Sequence, residues 1–221
     1  MASPKPSFQK RRAARPAEPG PSQVAVTLGG LESERLRLFV ALELPPRVRE
    51  CLLAWRSGVM SRVPELRPVA QEALHATLCF LGSRPGAELD AIAAACNGAL
   101  ASAGAPELGL GAGLWLPPRR PRVLAIRLED AGGALARIQG ALSAALSAGG
   151  WYTPEKRPFL PHATVARVPG RARVHAIELP ELPALAFTGP AVTLYRSRLQ
   201  RSGARYEPLA SVALRSGGRP A

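Results

Sequence analysis

The chain has 221 residues, of which 47% are hydrophobic, enough for a sizeable core in one domain or in two small lobes. Its formal net charge is +13, and arginine supplies all but three of its 29 basic residues. This balance favours a polyanionic partner, nucleic acid ahead of a membrane, because guanidinium groups match phosphate geometry. The apolar runs are too short for a membrane span or a secretory signal, so we expect a cytoplasmic protein.

The two ends of the chain are expected to lie outside the folded domain. Residues 1–30 are rich in Pro, Ser, Gly and Arg, and they lack the apolar content that would offset the entropy of ordering them. We interpret them as a disordered basic tail. The folded domain is predicted over residues 31–215, followed by a short disordered C-terminus over residues 216–221.

Order begins near Arg35 with apolar residues in strict alternation, the pattern of a half-buried strand. The prolines at 45 and 46 end that strand, and Pro46 is well placed to start a helix that extends to about Met60. The later predictions are a strand at 73–81, a helix at 87–103, strands at 108–116 and 122–129, a helix at 133–147, a strand beginning near 161, and strands at 185–188, 191–199 and 205–214. This interspersed order fits an α+β fold and allows a duplicated, two-lobed plan.

Two short stretches contain the triplet His-Ala-Thr, at residues 75–77 and 162–164, in a chain with only three histidines. If both triplets lie on strands, residues two apart share one face. His75 would then lie on the same face as Thr77, and His162 on the same face as Thr164. Each triplet would contribute one imidazole and one hydroxyl to a site.

Paired imidazoles suit the cleavage of a phosphodiester. One neutral ring can accept a proton from the attacking oxygen, and one charged ring can donate a proton to the leaving oxygen. The threonine hydroxyls can donate hydrogen bonds to the nonbridging phosphate oxygens. Neither step needs a metal or another cofactor, and none is expected. The functional alternative is a zinc site that uses His75, His162 and His175, but His175 lacks a matching context and is interpreted as a surface residue.

The chain resembles the 2H phosphoesterase superfamily, and within it the RNA 2′,3′-cyclic phosphodiesterases, also called 2′-5′ RNA ligases. Besides the two triplets, the resemblance rests on residues 37–42, 74–82, 157–162, 194–197 and 203–206. It implies two lobes, each a small antiparallel sheet with helices packed outside, and an active-site cleft between them. Alanine at 76 and 163 departs from the larger apolar residues usual in the family.

The resemblance also implies the role of each site residue. His75 would be the proton donor, His162 the proton acceptor, and Thr77 and Thr164 would bind the phosphate of an RNA end that carries a 2′,3′-cyclic phosphate, such as a tRNA-like or oligonucleotide end. Arg167 is a candidate phosphate contact, with a solvated arginine at a strand end as its alternative. Phe80 and Phe159 are interpreted as core residues rather than base contacts.

The expected reaction is hydrolysis to a 2′-phosphomonoester by a monomeric enzyme. Two alternatives remain open. One is 2′-5′ ligation, or cleavage of another cyclic or 2′-linked nucleotide. The other is a non-catalytic RNA-binding module built on the same cleft.

Overall fold

The computed structural model describes residues 33–200 and 203–215. The predicted tail and the predicted C-terminal segment lie outside these residues. Nine strands and three helices are present in the described ranges: β1 (Arg35–Glu43), α1 (Pro46–Met60), β2 (Arg67–Pro68), β3 (His75–Pro85), α2 (Leu89–Leu100), β4 (Glu107–Leu116), β5 (Val123–Glu129), α3 (Ala134–Ala148), β6 (His162–Arg167), β7 (Ala186–Thr188), β8 (Ala191–Gln200) and β9 (Gly203–Ala213).

Periodicity predicted the long elements correctly, within a few residues at each end. The predicted helix at 87–103 begins at Leu89, because residues 86–88 form a separate 3-10 turn. β3 continues to Pro85, four residues past its predicted end. β2 was not predicted, since two residues carry no periodic signal.

Helix α1 shows how local sequence sets an element. Pro45 lies at the N-cap and Pro46 at the first helical position, where a missing N–H costs no hydrogen bond. Apolar residues recur every three or four positions, and all of them are buried: Val48, Leu52, Trp55 and Val59. Burying each such side chain contributes roughly 1.5–3 kcal/mol, so packing rather than intrinsic helix propensity stabilises the helix.

All nine strands belong to one sheet, in the order β7-β4-β5-β6-β3-β1-β8-β9, with β2 beside β6. The order divides into two halves of four strands, which meet where β6 pairs with β3. Each half contains strand–helix–strand segments, so the predicted α+β, duplicated fold is confirmed. The named strands all pair antiparallel.

The two halves join at a single pair of residues, Ala76 and Ala163, whose side chains are fully buried. These are the two positions where the sequence departs from the larger apolar residues of the family.

The core lies on the face of the sheet that also receives the helices. Buried residues of α1, α2 and α3 form one cluster with the buried residues of the central strands. In the described ranges, no helix is both long enough and apolar enough to cross a membrane. The opposite face of the central strands carries the residues that the sequence singles out.

Candidate active site

The two His-Ala-Thr triplets lie side by side on neighbouring strands, although 87 positions separate them in the chain. The antiparallel pairing of Ala76 with Ala163 sets His75 opposite Thr164 and Thr77 opposite His162. Since both alanines point into the core, the four polar side chains share the other face. The two histidines occupy a diagonal of this square, a relation that separates two residues by about 7–8 Å, with their Cβ atoms somewhat closer.

A β-bulge adds Arg167 to the same face. Leu124 pairs with Ala166 and Ala125 pairs with Thr164, so Val165 is an extra residue in β6. Strict alternation would send Arg167 to the face opposite His162, but the bulge shifts the phase by one residue. Arg167 is exposed, and its positive charge contributes to lowering the pKa of His75.

The same bulge occurs in β3, where it places Phe80 at the position equivalent to Arg167. Val40 pairs with Cys79 and Ala41 with Thr77, which leaves Leu78 as the extra residue. The interpretation of Phe80 as a core residue is therefore wrong. Phe80 is 46% exposed, and the Arg37 guanidinium carbon lies 4.7 Å from the centroid of its ring. Phe159 does pack partly against the core.

His75 lies in an aromatic surrounding that sequence reasoning missed. Its ring centroid is 4.9 Å from Phe39, 5.2 Å from Tyr206 and 6.1 Å from Tyr195. Phe39 and Tyr195 stack on one another, whereas Tyr206 meets both Phe39 and His75 edge-on. The signal in the sequence was that residues 37–42, 194–197 and 203–206, which contain these three aromatic residues, belong to the family resemblance.

Burial in this surrounding lowers the pKa of His75 to about 4. A hydrogen bond with the backbone of Ala73 partly opposes the effect of burial, and the positive charge of Arg167, with that of His162 when it is charged, adds to it. In the free protein His75 is therefore uncharged at neutral pH.

A polar network lies beside the aromatic surrounding of His75. Thr193 is fully buried and donates a hydrogen bond of 2.6 Å to Glu43, which is the cross-strand neighbour of His75. The Tyr195 hydroxyl also donates to Glu43, at 3.4 Å. Burial, followed by the Glu43 carboxylate, raises the pKa of Tyr195 to about 12.

His162 has a different environment. Its Nδ1 lies 2.8 Å from the Leu160 carbonyl oxygen, and because that oxygen can only accept, Nδ1 carries the proton. The ring then has Nε2 free to accept a proton. Its cross-strand neighbour is Arg127, an exposed residue 3.6 Å from Glu129.

A cavity of about 720 Å³ opens beside the square of polar residues. We call it the cleft cavity; its size is typical of small-molecule sites. One residue of each triplet lines it, Thr77 and His162. The lining also contains three aromatic residues and three charged residues of two loops: Phe80, Tyr152, Phe159, Arg122, Glu155 and Arg157.

The third histidine does not belong to this site. His175 is exposed and lines a separate cavity. Within residues 33–200 and 203–215, no group of three His, Cys, Asp or Glu side chains is arranged to hold a metal ion.

Comparison with known proteins identifies the family. The family model of the 2′-5′ RNA ligase superfamily matches residues 38–201. The chain belongs to this superfamily. The resemblance seen in the sequence is thereby confirmed.

Similar proteins match over most of this chain. The RNA 2′,3′-cyclic phosphodiesterase of Escherichia coli (strain K12) is 33% identical over 187 residues, which cover 82% of this chain and 98% of that protein. The protein of the same name from Thermus thermophilus is 33% identical over 81% of this chain and 91% of its own length. The crystal structure of E. coli LigT with 3′-AMP matches with a TM-score of 0.70 and 29% identity, covering 82% of this chain and 99% of that one.

Proposed function

We propose that this protein hydrolyses RNA ends bearing a 2′,3′-cyclic phosphate to 2′-phosphomonoesters. One observation carries the proposal: two histidines share one sheet face, each with a threonine hydroxyl opposite it across the β3–β6 junction. The names of the similar proteins support the same reaction and the same substrate class.

The site residues divide the reaction between two proton transfers. His162 accepts a proton on Nε2 from the attacking water, whose oxygen forms a new bond to phosphorus. The bond from phosphorus to the 3′ oxygen breaks, and His75 donates a proton to that oxygen. The product keeps the phosphate on the 2′ oxygen and gains a free 3′ hydroxyl.

Three further residues are proposed to bind the phosphate. Thr77 and Thr164 would donate hydrogen bonds to the nonbridging oxygens, and Arg167 would offset their charge. The register, and the bulge that brings Arg167 to this face, support this role over that of a solvated arginine at a strand end.

His75 must gain a proton before it can donate one. Its low pKa in the free protein comes first from burial and then from the positive charge of Arg167. A phosphate bound beside both residues places a negative charge next to His75 and offsets the charge of Arg167, which raises the pKa of His75. The donor role of His75 therefore depends on bound substrate, whereas His162 can accept a proton with the Nδ1–H tautomer already set.

The test uses a short oligoribonucleotide with a 2′,3′-cyclic phosphate. Wild-type protein should yield a 2′-phosphomonoester, identified by phosphorus NMR, and a chelator should not change the rate. His75→Ala and His162→Ala should each lower kcat by about 10²–10⁴ while the protein stays folded. His175→Ala is the matched control and should leave kcat unchanged. Full turnover by either of the first two variants would refute the mechanism.

Other outcomes would identify a different activity. Formation of a 2′-5′ linkage when an oligonucleotide with a free 5′ hydroxyl is added would indicate ligation. Turnover of another cyclic or 2′-linked nucleotide in place of the RNA end would change the substrate. Tight RNA binding without any product would indicate a non-catalytic module.

We also propose a monomer that acts in the cytoplasm. The three cysteines are free thiols, and two of them, Cys79 and Cys96, are buried. Free thiols are typical of a reducing compartment. The mass measured by light scattering after gel filtration tests the monomer, and fractionation of cells tests the location.

A further inference from the structure

A second cavity, of about 300 Å³, has arginine at half of its lining positions. We call it the arginine cavity. Four arginines line it, at positions 119, 120, 122 and 173, together with His175 and three uncharged residues. All four arginines are exposed, and none of the described residues that line the cavity is acidic.

Two loops form the arginine cavity, one between β4 and β5 and one after β6, and hydrogen bonds of Arg122 connect them. Its backbone N–H donates to the Leu116 carbonyl at 2.9 Å and closes the loop between β4 and β5. Its guanidinium donates to the carbonyls of Gly170, at 3.3 Å, and Ala172, at 3.5 Å, in the segment that follows β6. The Ala172 N–H in turn donates to the Pro169 carbonyl at 2.9 Å. The loops that carry the arginines are thus held against each other.

The positive charge of this cavity is not compensated within residues 33–200 and 203–215. Three ion pairs are present in that part of the chain, Arg127 with Glu129, Arg196 with Glu34 and Arg198 with Glu207. None of these three involves a residue of the arginine cavity. Guanidinium groups stay charged at any physiological pH, so they repel one another there until an anion binds between them.

The arginine cavity adjoins the cleft cavity. Arg122 lines both, and the cleft cavity contains His162 and Thr77. β6 itself leads from His162 through Arg167 to the segment that carries Arg173. Arg67 on β2 pairs with Arg167 across the strands and extends the positive charge along the same face. A chain of phosphates that leaves the site past Arg167 can therefore meet further arginines along this side of the reacting group.

We propose that the arginine cavity binds the phosphate backbone of the RNA strand whose end reacts in the cleft cavity. This inference rests on the proposed function and makes it more specific, because it favours oligonucleotides over mononucleotides. Guanidinium groups bind phosphate through paired hydrogen bonds, and backbone contacts of this kind add affinity without reading sequence.

The test compares two substrates and two matched double variants. Arg119→Gln/Arg173→Gln removes one guanidinium from each loop and leaves Arg122 in place. Arg47→Gln/Arg62→Gln removes the same charge from exposed positions on α1 and just after it. The substrates are a short oligoribonucleotide 2′,3′-cyclic phosphate and a mononucleoside 2′,3′-cyclic phosphate.

For the cavity variant we expect the KM of the oligonucleotide to rise about tenfold, with kcat and the KM of the mononucleotide unchanged. The slope of log affinity against log salt should fall by about 1.4, the value for two lost phosphate contacts to a single strand. The α1 variant should change neither quantity. Equal effects of the cavity variant on both substrates, or no effect on the oligonucleotide, would overturn the inference.

A binding measurement separates this inference from the proposed function. Fluorescence anisotropy with a labelled oligoribonucleotide that ends in a 2′-phosphate reports affinity without turnover. If wild-type protein cleaves neither substrate, the proposed function fails, yet weaker binding by the cavity variant alone would still support the arginine cavity. Equal binding by all three proteins would overturn the arginine cavity even if cleavage occurs.

Discussion

Lowering the pH should destabilise this protein through His75. The ordinary pKa of a histidine is 6.5, and burial lowers that of His75 to about 4 in the folded chain. Between these values the unfolded chain binds a proton that the folded chain does not. The free energy of unfolding therefore falls as the pH falls from 6.5 towards 4. Above pH 6.5 the chain has the full stability that uncharged His75 allows. A gap of about 2.5 units is worth up to about 3 kcal/mol, since one unit is about 1.4 kcal/mol.

Urea unfolding, followed by tryptophan fluorescence at several pH values, measures this effect. Carboxylates titrate in the same range, so the quantity of interest is the difference between wild type and His75→Gln. Wild type should lose up to about 3 kcal/mol more than the variant between pH 7 and pH 4. His175→Gln, which removes an exposed histidine, should follow wild type. Parallel curves for wild type and His75→Gln would refute the low pKa.

The same titration with ligand tests the link between charge and catalysis. Inorganic phosphate bound near His162, Arg167 and His75 should raise the pKa of His75, as followed by NMR of its ring protons. Phosphate should then also stabilise the fold more at pH 5 than at pH 7, since at the lower pH a larger fraction of His75 takes up a proton on binding. If the pKa of His75 stays near its free value with phosphate bound, His75 cannot be the proton donor.

Two further substitutions test the phosphate contacts and the packing of β4. Thr164→Val should lower kcat by about 10²–10³, the loss typical of one oxyanion donor, whereas Thr164→Ser should restore most of the activity in the cyclic-phosphate assay. Gly113→Ala should lower the free energy of unfolding by about 1–3 kcal/mol, because the added Cβ would lie 2.8 Å from the Trp55 ring. Gly98→Ala on α2, where the new Cβ meets no atom within 4 Å, is the control and should not destabilise the protein in urea unfolding.

The faces on which the side chains of the two triplets lie could be predicted from the sequence, because alternation along one strand determines them. Alternation over five or six residues assigns His75 and Thr77 to one face and Ala76 to the other, and the burial of Ala76 agrees. Arg167 could not be placed in this way. Its face depends on an extra residue in β6 relative to β5, and a bulge is a property of the pairing between strands rather than of one strand's sequence.

The surroundings of His75 were beyond prediction for a similar reason. Phe39 comes from β1, Tyr195 from β8 and Tyr206 from β9, and all three reach the ring because β1 lies between β3 and β8 in the sheet. Local patterns predict strands but not the order in which distant strands pair. The low pKa of His75 results from burial among these rings, so it could not be predicted from the sequence either.

The duplication brings together two halves with equivalent strands, and three differences make their sites unequal. In both halves the strand beside the triplet places an alanine opposite the threonine, Ala41 in one and Ala125 in the other. Opposite the histidines, however, lie Glu43 and Arg127, and the bulges expose Phe80 in one half and Arg167 in the other. A third difference is the set of aromatic rings packed around His75 alone.

An acid and a base on one phosphate need different environments, because two identical imidazoles would titrate together. The differing neighbours of His75 and His162 give the two imidazoles such different environments. At neutral pH His75, which lies among aromatic rings, takes up a proton only when an anion is present, whereas His162 has its tautomer set by the Leu160 carbonyl and its Nε2 free. Replacement of Phe39 by a polar residue should therefore raise the pKa of His75 in the free protein, because the imidazolium would lose less hydration. The protonation of His75 would then depend less on bound phosphate.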